Sequence, residues 1–196
     1  MLQELSPPEP GIDIFTMVVL RRRFEAIIGE MINALFKSGR SGVLNTAMDF
    51  SCSLTDSSFQ SISLAQGLPV HVGAIDLIPR AVAAKFGDDI HPGDCFVNNS
   101  GYLGNTHCAD FTVCAPVFVD DAIAFHVVAR AHLGDMGFPT PTTYGPRSRD
   151  VYEEGLMLPC VRIQRGYKDV PEVIDICRAN IRVPDQFYGD YLAVLA

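Results

Sequence analysis

The chain has 196 residues, enough for one domain with a substantial core. Its formal charge of −8 excludes a basic, phosphate-binding face and with it a nucleic-acid function. Apolar residues make up 48% of it and the mean hydropathy is +0.18, so partner chains are expected to cover part of the surface, yet no apolar run reaches the ~20 residues that a bilayer-spanning helix needs.

Residues 1–13 (MLQELSPPEPGID) are acidic and proline-rich and read as an extended arm. They carry neither the basic nor the apolar region of a signal peptide, so a cytoplasmic protein is expected. From Ile14 to Lys37, Val18, Phe24, Ile27, Ile28, Met31 and Leu35 fall near one helical stripe, and Ser38-Gly39 ends the helix. MDFSCSLTD alternates like a strand, Asp56-Ser57-Ser58 makes a turn, and a second strand runs through Ile62–Leu64. A helix is expected over Ala74–Phe86, in which Pro79 is tolerable only near the first turn. Turns at Gly87-Asp88-Asp89 and His91-Pro92-Gly93-Asp94 lead to a short buried strand, Cys95–Val97. Phe111–Val119 and Ala122–Ala131 are apolar, β-branched-rich runs around Asp120-Asp121, which predicts an antiparallel hairpin. Residues 134–150 form a Gly-, Pro- and Thr-rich loop of a length that is often functional. A strand over Leu156–Gln164 and helices over Val170–Ile181 and Pro184–Leu195 follow, each helix with proline near its start. The expected fold is α+β, a mostly antiparallel sheet with a long N-terminal helix and C-terminal helices. The cysteines at 52, 95, 108, 114, 160 and 177 form no C-x-x-C pair and read as core residues in a reducing compartment.

The chemistry concentrates in NNSGYLGNTHCAD (98–110) and AHLGD (131–135). Each piece holds a histidine and, three residues on, an aspartate: His107 with Asp110, and His132 with Asp135. Imidazole and carboxylate are the ligand set for a divalent ion such as Mn, Fe or Zn. If the two apolar runs pair, Asp110 and His132 flank the hairpin equally far from its turn. His107, Asp110 and His132 then form a two-histidine, one-carboxylate set, with Asp135 a further ligand or an acceptor that orients an imidazole. The alternative is a hydrogen-bonded polar cluster that closes the end of a sheet. His126, Arg130 and His132 share a strand face and need partners there. His71 and His91 carry little site signal, Cys108 reads as structural, and Asp150, Glu153 and Glu154 read as an exposed acidic loop. No phosphate-loop or dinucleotide motif is present, so no nucleotide site is expected in this chain.

VNNSGYLGNTHCADFTVCAPVF, ARAHLGDMG, PTTYGPRSRDVYEEG and QRGYKDVPEVIDICRANIRVPDQFYGDYLA together resemble the hydantoinase B family, and most of all its acetone and acetophenone carboxylase branch. The resemblance runs from about Phe15 to the last residue but covers only the N-terminal portion of such subunits. It implies a hydantoinase A-like partner subunit that binds ATP and Mg. It implies ATP-dependent carboxylation of a ketone enolate with bicarbonate-derived CO2, at a divalent metal held by His107, Asp110 and His132. Arg130 or His126 would support the carboxylate. Many relatives carry a glutamate shortly before the DFS motif where Thr46 stands here, which leaves Asp49 and Asp135 as substitute ligands. Related hydantoinases and oxoprolinases use ATP to open a cyclic amide instead. That is the second reading, and a non-catalytic assembly subunit is the third.

Overall fold

The computed structural model describes residues 11, 13–66, 69–143 and 145–196, so most of the expected N-terminal arm lies outside the described residues. Asp13 caps helix α1 (Ile14–Ser38) by accepting the backbone N–H groups of Phe15 and Thr16, and the Gly39 N–H closes the other end on Leu35 O. Only the second half of α1 lies on the body. Ile28 and Leu35 are buried, and Phe24, Met31 and Ile32 pack beside them. Val18 and Ile27, placed on the buried stripe by periodicity, are exposed. Periodicity finds an apolar face but not how much of its length is covered.

The hairpin of β1 (Phe50–Asp56) and β2 (Ser61–Gln66) follows a short helix, α2 (Gly42–Asn45). The Asp56 carboxylate accepts the N–H groups of Ser58 and Gln60, which closes the turn. A 3-10 segment (Pro69–Ala74) precedes α3 (Leu77–Phe86). The helix therefore starts three residues later than expected, with Pro79 in its first turn. Next come β3 (Cys95–Asn98), β4 (Asp110–Val119) and β5 (Ala122–His132). Asp120 and Asp121 both have positive φ, the backbone that a tight two-residue hairpin turn requires. The strand expected from Leu156 begins only at Val161, as β6 (Val161–Arg165). The reason is Asn99: its carboxamide donates to Leu156 O and accepts from Leu158 N–H, and its backbone N–H donates to Leu158 O, so this stretch is tied to one residue rather than to a ladder. The two-residue β7 (Lys168–Asp169), α4 (Pro171–Asn180) and α5 (Pro184–Leu195) complete the chain.

The strands form one antiparallel sheet in the order β2-β1-β5-β4-β3-β6-β7. On one face Phe50, Cys52, Leu54, Phe111, Val113, Ala129 and Ala131 pack with α1, α4 and α5. Phe111 meets Phe187 and Tyr191 of α5 edge-on, at 5.8 and 6.3 Å between ring centres. Burying a side chain of that size stabilises by ~1.5–3 kcal/mol. The opposite face packs Phe96, Cys114 and Val128 against Ile75 and, from α3, Ile78 and Val82. There the alternating positions of three adjacent strands are largely polar: Ser51, Ser53 and Thr55 on β1; His126, Arg130 and His132 on β5; Asp110 and Thr112 on β4. All of these are buried. Among the described residues no helix is long and apolar enough to cross a membrane.

Candidate metal centre

Strand register builds the centre. Asp110 lies directly opposite His132, and one row inward Thr112 lies opposite Arg130. On the other side of β5, Ser51 faces Arg130, and the His132 N–H donates to Asp49 O at 2.9 Å, which sets Asp49 at the end of the same row. His107 arrives from the loop before β4. The Asn105 carboxamide folds that loop back by donating to His107 O (2.8 Å) and Asp110 O (2.6 Å) and by accepting from the Thr112 hydroxyl (2.7 Å). Gly104 is required at the bend: its φ is +89°, and a Cβ there would lie 2.5 Å from Leu77 Cβ.

His107 Nε2 lies 3.2 Å and His132 Nδ1 3.1 Å from the same oxygen, Asp110 Oδ1. The two rings are 5.0 Å apart, and the three residues each offer a ligand atom within 4.8 Å of the others. Asp110 and His132 are buried and His107 half-buried. Burial works to raise the pKa of Asp110. Hydrogen bonds from His107, His132, His71 and Thr106 outweigh it and hold the carboxyl well below the usual carboxylate range. Burial works to lower the pKa of His107, but the Asp110 hydrogen bond and charge prevail and raise it.

Two more residues reach this centre. His71 Nε2 lies 3.4 Å from both Asp110 Oδ2 and Asp49 Oδ1. Asp49 Oδ2 lies 3.8 Å from His132 Nδ1. Asp49 Oδ1 is buried without a hydrogen-bond partner among the described residues. Two imidazoles, a buried ionised carboxylate and a second carboxylate with an orphaned oxygen fit a divalent cation. Sequence reasoning admitted Asp49 only as a substitute ligand and set His71 aside. His71 stands alone in GLPVHVG, and its partners come from β1 and β4, so no local pattern marks it.

The structure does not bring Asp135 to the centre. Its carboxylate accepts the N–H groups of Gly137 (2.8 Å) and Arg182 (2.9 Å) and pairs with the Arg182 guanidinium at 3.1 Å, which fixes the start of the 134–150 loop to the approach of α5. Nor does His126 reach it. It lies six residues along β5 from His132, ~20 Å at the rise of a strand, with Nδ1 3.3 Å from Asp56 O and 3.5 Å from the Thr55 hydroxyl. Arg130 lies one row behind the centre and is fully buried, so it is not placed to touch a substrate. It donates to the Thr112 hydroxyl, His71 O and Gly104 O, each at 2.9 Å. Cys108 is buried and its thiol is pushed up to about 11, which suits packing rather than nucleophilic attack.

Residues 13–196 match the family model described as Hydantoinase B/oxoprolinase. The caprolactamase subunit beta of Pseudomonas jessenii is 33% identical over 179 residues, covering 91% of this chain and 31% of that subunit. The 5-oxoprolinase of Saccharomyces cerevisiae is 34% identical over 148 residues, 75% of this chain and 12% of that protein. The crystal structure of the ATP-dependent caprolactamase from Pseudomonas jessenii superposes with a TM-score of 0.88 at 33% identity, covering 94% of this chain and 32% of that one. The nucleotide-free structure of acetone carboxylase superposes with a TM-score of 0.82 at 16% identity, over 92% of this chain and 24% of that one, which speaks to the fold alone. The chain thus spans about a third or less of the length of these relatives.

Proposed function

From the membership of this chain in the hydantoinase B/oxoprolinase family, we propose that it forms the metal-holding part of a subunit in a cytoplasmic, ATP-dependent enzyme that opens a cyclic amide. The observation that carries this reading is the convergence of His107 and His132 on one oxygen of the buried Asp110. These three residues are the proposed ligands of a divalent ion of the Mn, Zn or Fe class, with Asp49 the carboxylate nearest to hand as a fourth. Held by these residues, such an ion would supply Lewis acidity toward a carbonyl or a water molecule.

The chain's own residues prepare that site. The hydrogen bonds to Asp110 keep it ionised, so a ligand charge stands ready at neutral pH. The buried sheet face excludes water behind it. No nucleotide motif occurs in this sequence, so ATP with its Mg is assigned to a hydantoinase A-like partner subunit.

The higher identity to the caprolactamase subunit, 33% against 16% for acetone carboxylase, supports amide opening as the first reading. ATP-dependent carboxylation of a ketone is the second, favoured by the loop NNSGYLGNTH and by PTTY and QRGY. The test is elemental analysis of the assembled complex with wild-type chain and with His107→Ala plus His132→Ala, followed by ATP-turnover assays. The expected result is one divalent ion per chain, lost in the double variant, and ATP hydrolysis stimulated by caprolactam, 5-oxoproline or a hydantoin. Stimulation only by acetone or acetophenone with bicarbonate would move the second reading to first. A wild-type chain that assembles without any ion would leave a non-catalytic assembly role.

A further inference from the structure

We propose that His71 is a positioning residue: its Nε2–H takes Asp110 Oδ2, which leaves Asp110 Oδ1 alone turned to His107 and His132. This rests on the metal reading above and concerns residues outside the ligand set.

The two oxygens of Asp110 have separate surroundings. Oδ1 faces the imidazoles of His107 and His132. Oδ2 faces the Thr106 hydroxyl, which donates to it, and His71 Nε2 at 3.4 Å. The His71 ring is buried, and its other nitrogen, Nδ1, lies 3.1 Å from the Ser51 hydroxyl. Ionised carboxylates only accept hydrogen bonds, whereas a hydroxyl can donate. Nε2 therefore carries the proton and Nδ1 accepts from Ser51. Nε2 lies at equal distance from the two carboxylates, so the ring stands between Asp49 on the β1 side and Asp110 on the β4 side, with its N–H held by Asp110.

The ring is itself held. Arg130 Nη1 donates to His71 O, while Nε and Nη2 of the same guanidinium bind Thr112 and Gly104. Strand register stacks these groups in two rows. Ser51, Arg130 and Thr112 form the inner row, and Asp49, His132 and Asp110 the outer one. Arg130 and Ser51 of the inner row thus fix the residue that aims the Asp110 carboxylate of the outer row. With His71 gone, only Thr106 restrains Oδ2, and two carboxylates face each other without a donor between them. Partners that orient metal ligands in this way typically contribute ~10–100-fold in metal affinity.

The experiment is chelator competition for Zn2+ on the purified protein in its complex, with the visible spectrum of the Co2+-loaded form as a second readout. The variants are His71→Leu, His71→Gln and Ser51→Ala, with His107→Ala as the ligand control. His71→Leu is expected to weaken Zn2+ by ~10–100-fold and to alter the Co2+ spectrum. His71→Gln, which keeps an N–H for the Asp110 carboxylate, should recover part of the affinity. Ser51→Ala, which releases the ring's second nitrogen, should give a smaller loss. Zn2+ binding and a Co2+ spectrum in His71→Leu indistinguishable from wild type, while His107→Ala loses the ion, would overturn the assignment and leave the metal reading standing. If His71→Leu does not fold, wild-type affinity in both His71→Gln and Ser51→Ala overturns it equally. A wild-type chain that binds neither ion fails the metal reading itself and takes this inference with it.

Discussion

Arg130 is a buried cation whose hydrogen bonds go to neutral oxygens: one hydroxyl and two carbonyls. Burial pushes its pKa down and the Asp110 charge opposes that, and a guanidinium starts so high that it stays charged. Arg130→Met would leave His71 O and Gly104 O without this donor, at an expected cost of about 3 kcal/mol. Arg130→Lys should restore only part, because an ammonium cannot span three acceptors set out for a fork. Denaturant midpoints at an unchanged m-value measure both variants, and wild-type stability in Arg130→Met would refute the structural role. The thiols give a second expectation at this scale. All six cysteines are free and buried, with Cys52 and Cys95 pushed up to about 12 by burial and Cys177 to about 11. Native protein at pH 8 should therefore leave a disulfide reagent unreacted until guanidinium exposes the thiols, and prompt reaction of even one would contradict the burial. Much of the centre was legible from residues alone. His107 and Asp110 are local to one loop, and alternation along one hairpin places His132 opposite Asp110. Asp135 misled because the i, i+3 spacing that suggested it lies past the end of β5, where the chain leaves the sheet and no periodicity gives direction. What claims its carboxylate is Arg182, remote in sequence, and no local pattern announces such a partner.

At the scale of elements, the junction between β7 and α5 shows how a two-residue strand can matter. Asp169 accepts from the hydroxyls of Tyr191 (2.7 Å) and Tyr188 (2.9 Å) and from the Gln164 carboxamide (2.8 Å). Those contacts seat α5 on the sheet edge. A strand of this length has no alternation to read, so the sequence pattern passed over it. Burial works to raise the Asp169 pKa, but the hydrogen bonds from Gln164, Tyr191 and Tyr188 outweigh it and lower it below the ordinary 3.8. A carboxyl with a lowered folded pKa stabilises above its unfolded value and loses that contribution as pH falls through the folded one. The stability gap between wild type and Asp169→Asn should thus be full near neutral pH and close below about pH 4. Thermal melts of the pair between pH 7 and pH 3 read this directly, and a gap that widened on acidification would reverse the sign. Tyr191→Phe removes one of these hydrogen bonds and should cost ~1 kcal/mol without moving the helix.

For the whole molecule, the α+β class, the antiparallel pairing and both C-terminal helices follow from patterns within single segments. The order β2-β1-β5-β4-β3-β6-β7 does not. It depends on which distant strands meet, as β1 meets β5, and local alternation carries no such address. Composition anticipated an apolar excess, and the structure locates much of it. Ile14, Phe15, Met17, Val18, Val19 and Leu20 of α1 are all exposed, on about two turns of helix that run into Arg21, Arg22 and Arg23. A continuous apolar surface of this kind promotes association in water. The isolated chain is therefore expected to self-associate with rising concentration. The double substitution Phe15→Glu and Val19→Glu should suppress this, because it places charge on the exposed segment without touching the core. Since neither side chain is buried, the thermal stability of the monomer should change by no more than about 0.5 kcal/mol. Sedimentation velocity across a concentration series reads the first effect and calorimetry the second. Unaltered self-association in the double variant would place the sticky surface elsewhere, and a large loss of stability would mean that this half of α1 is packed in solution.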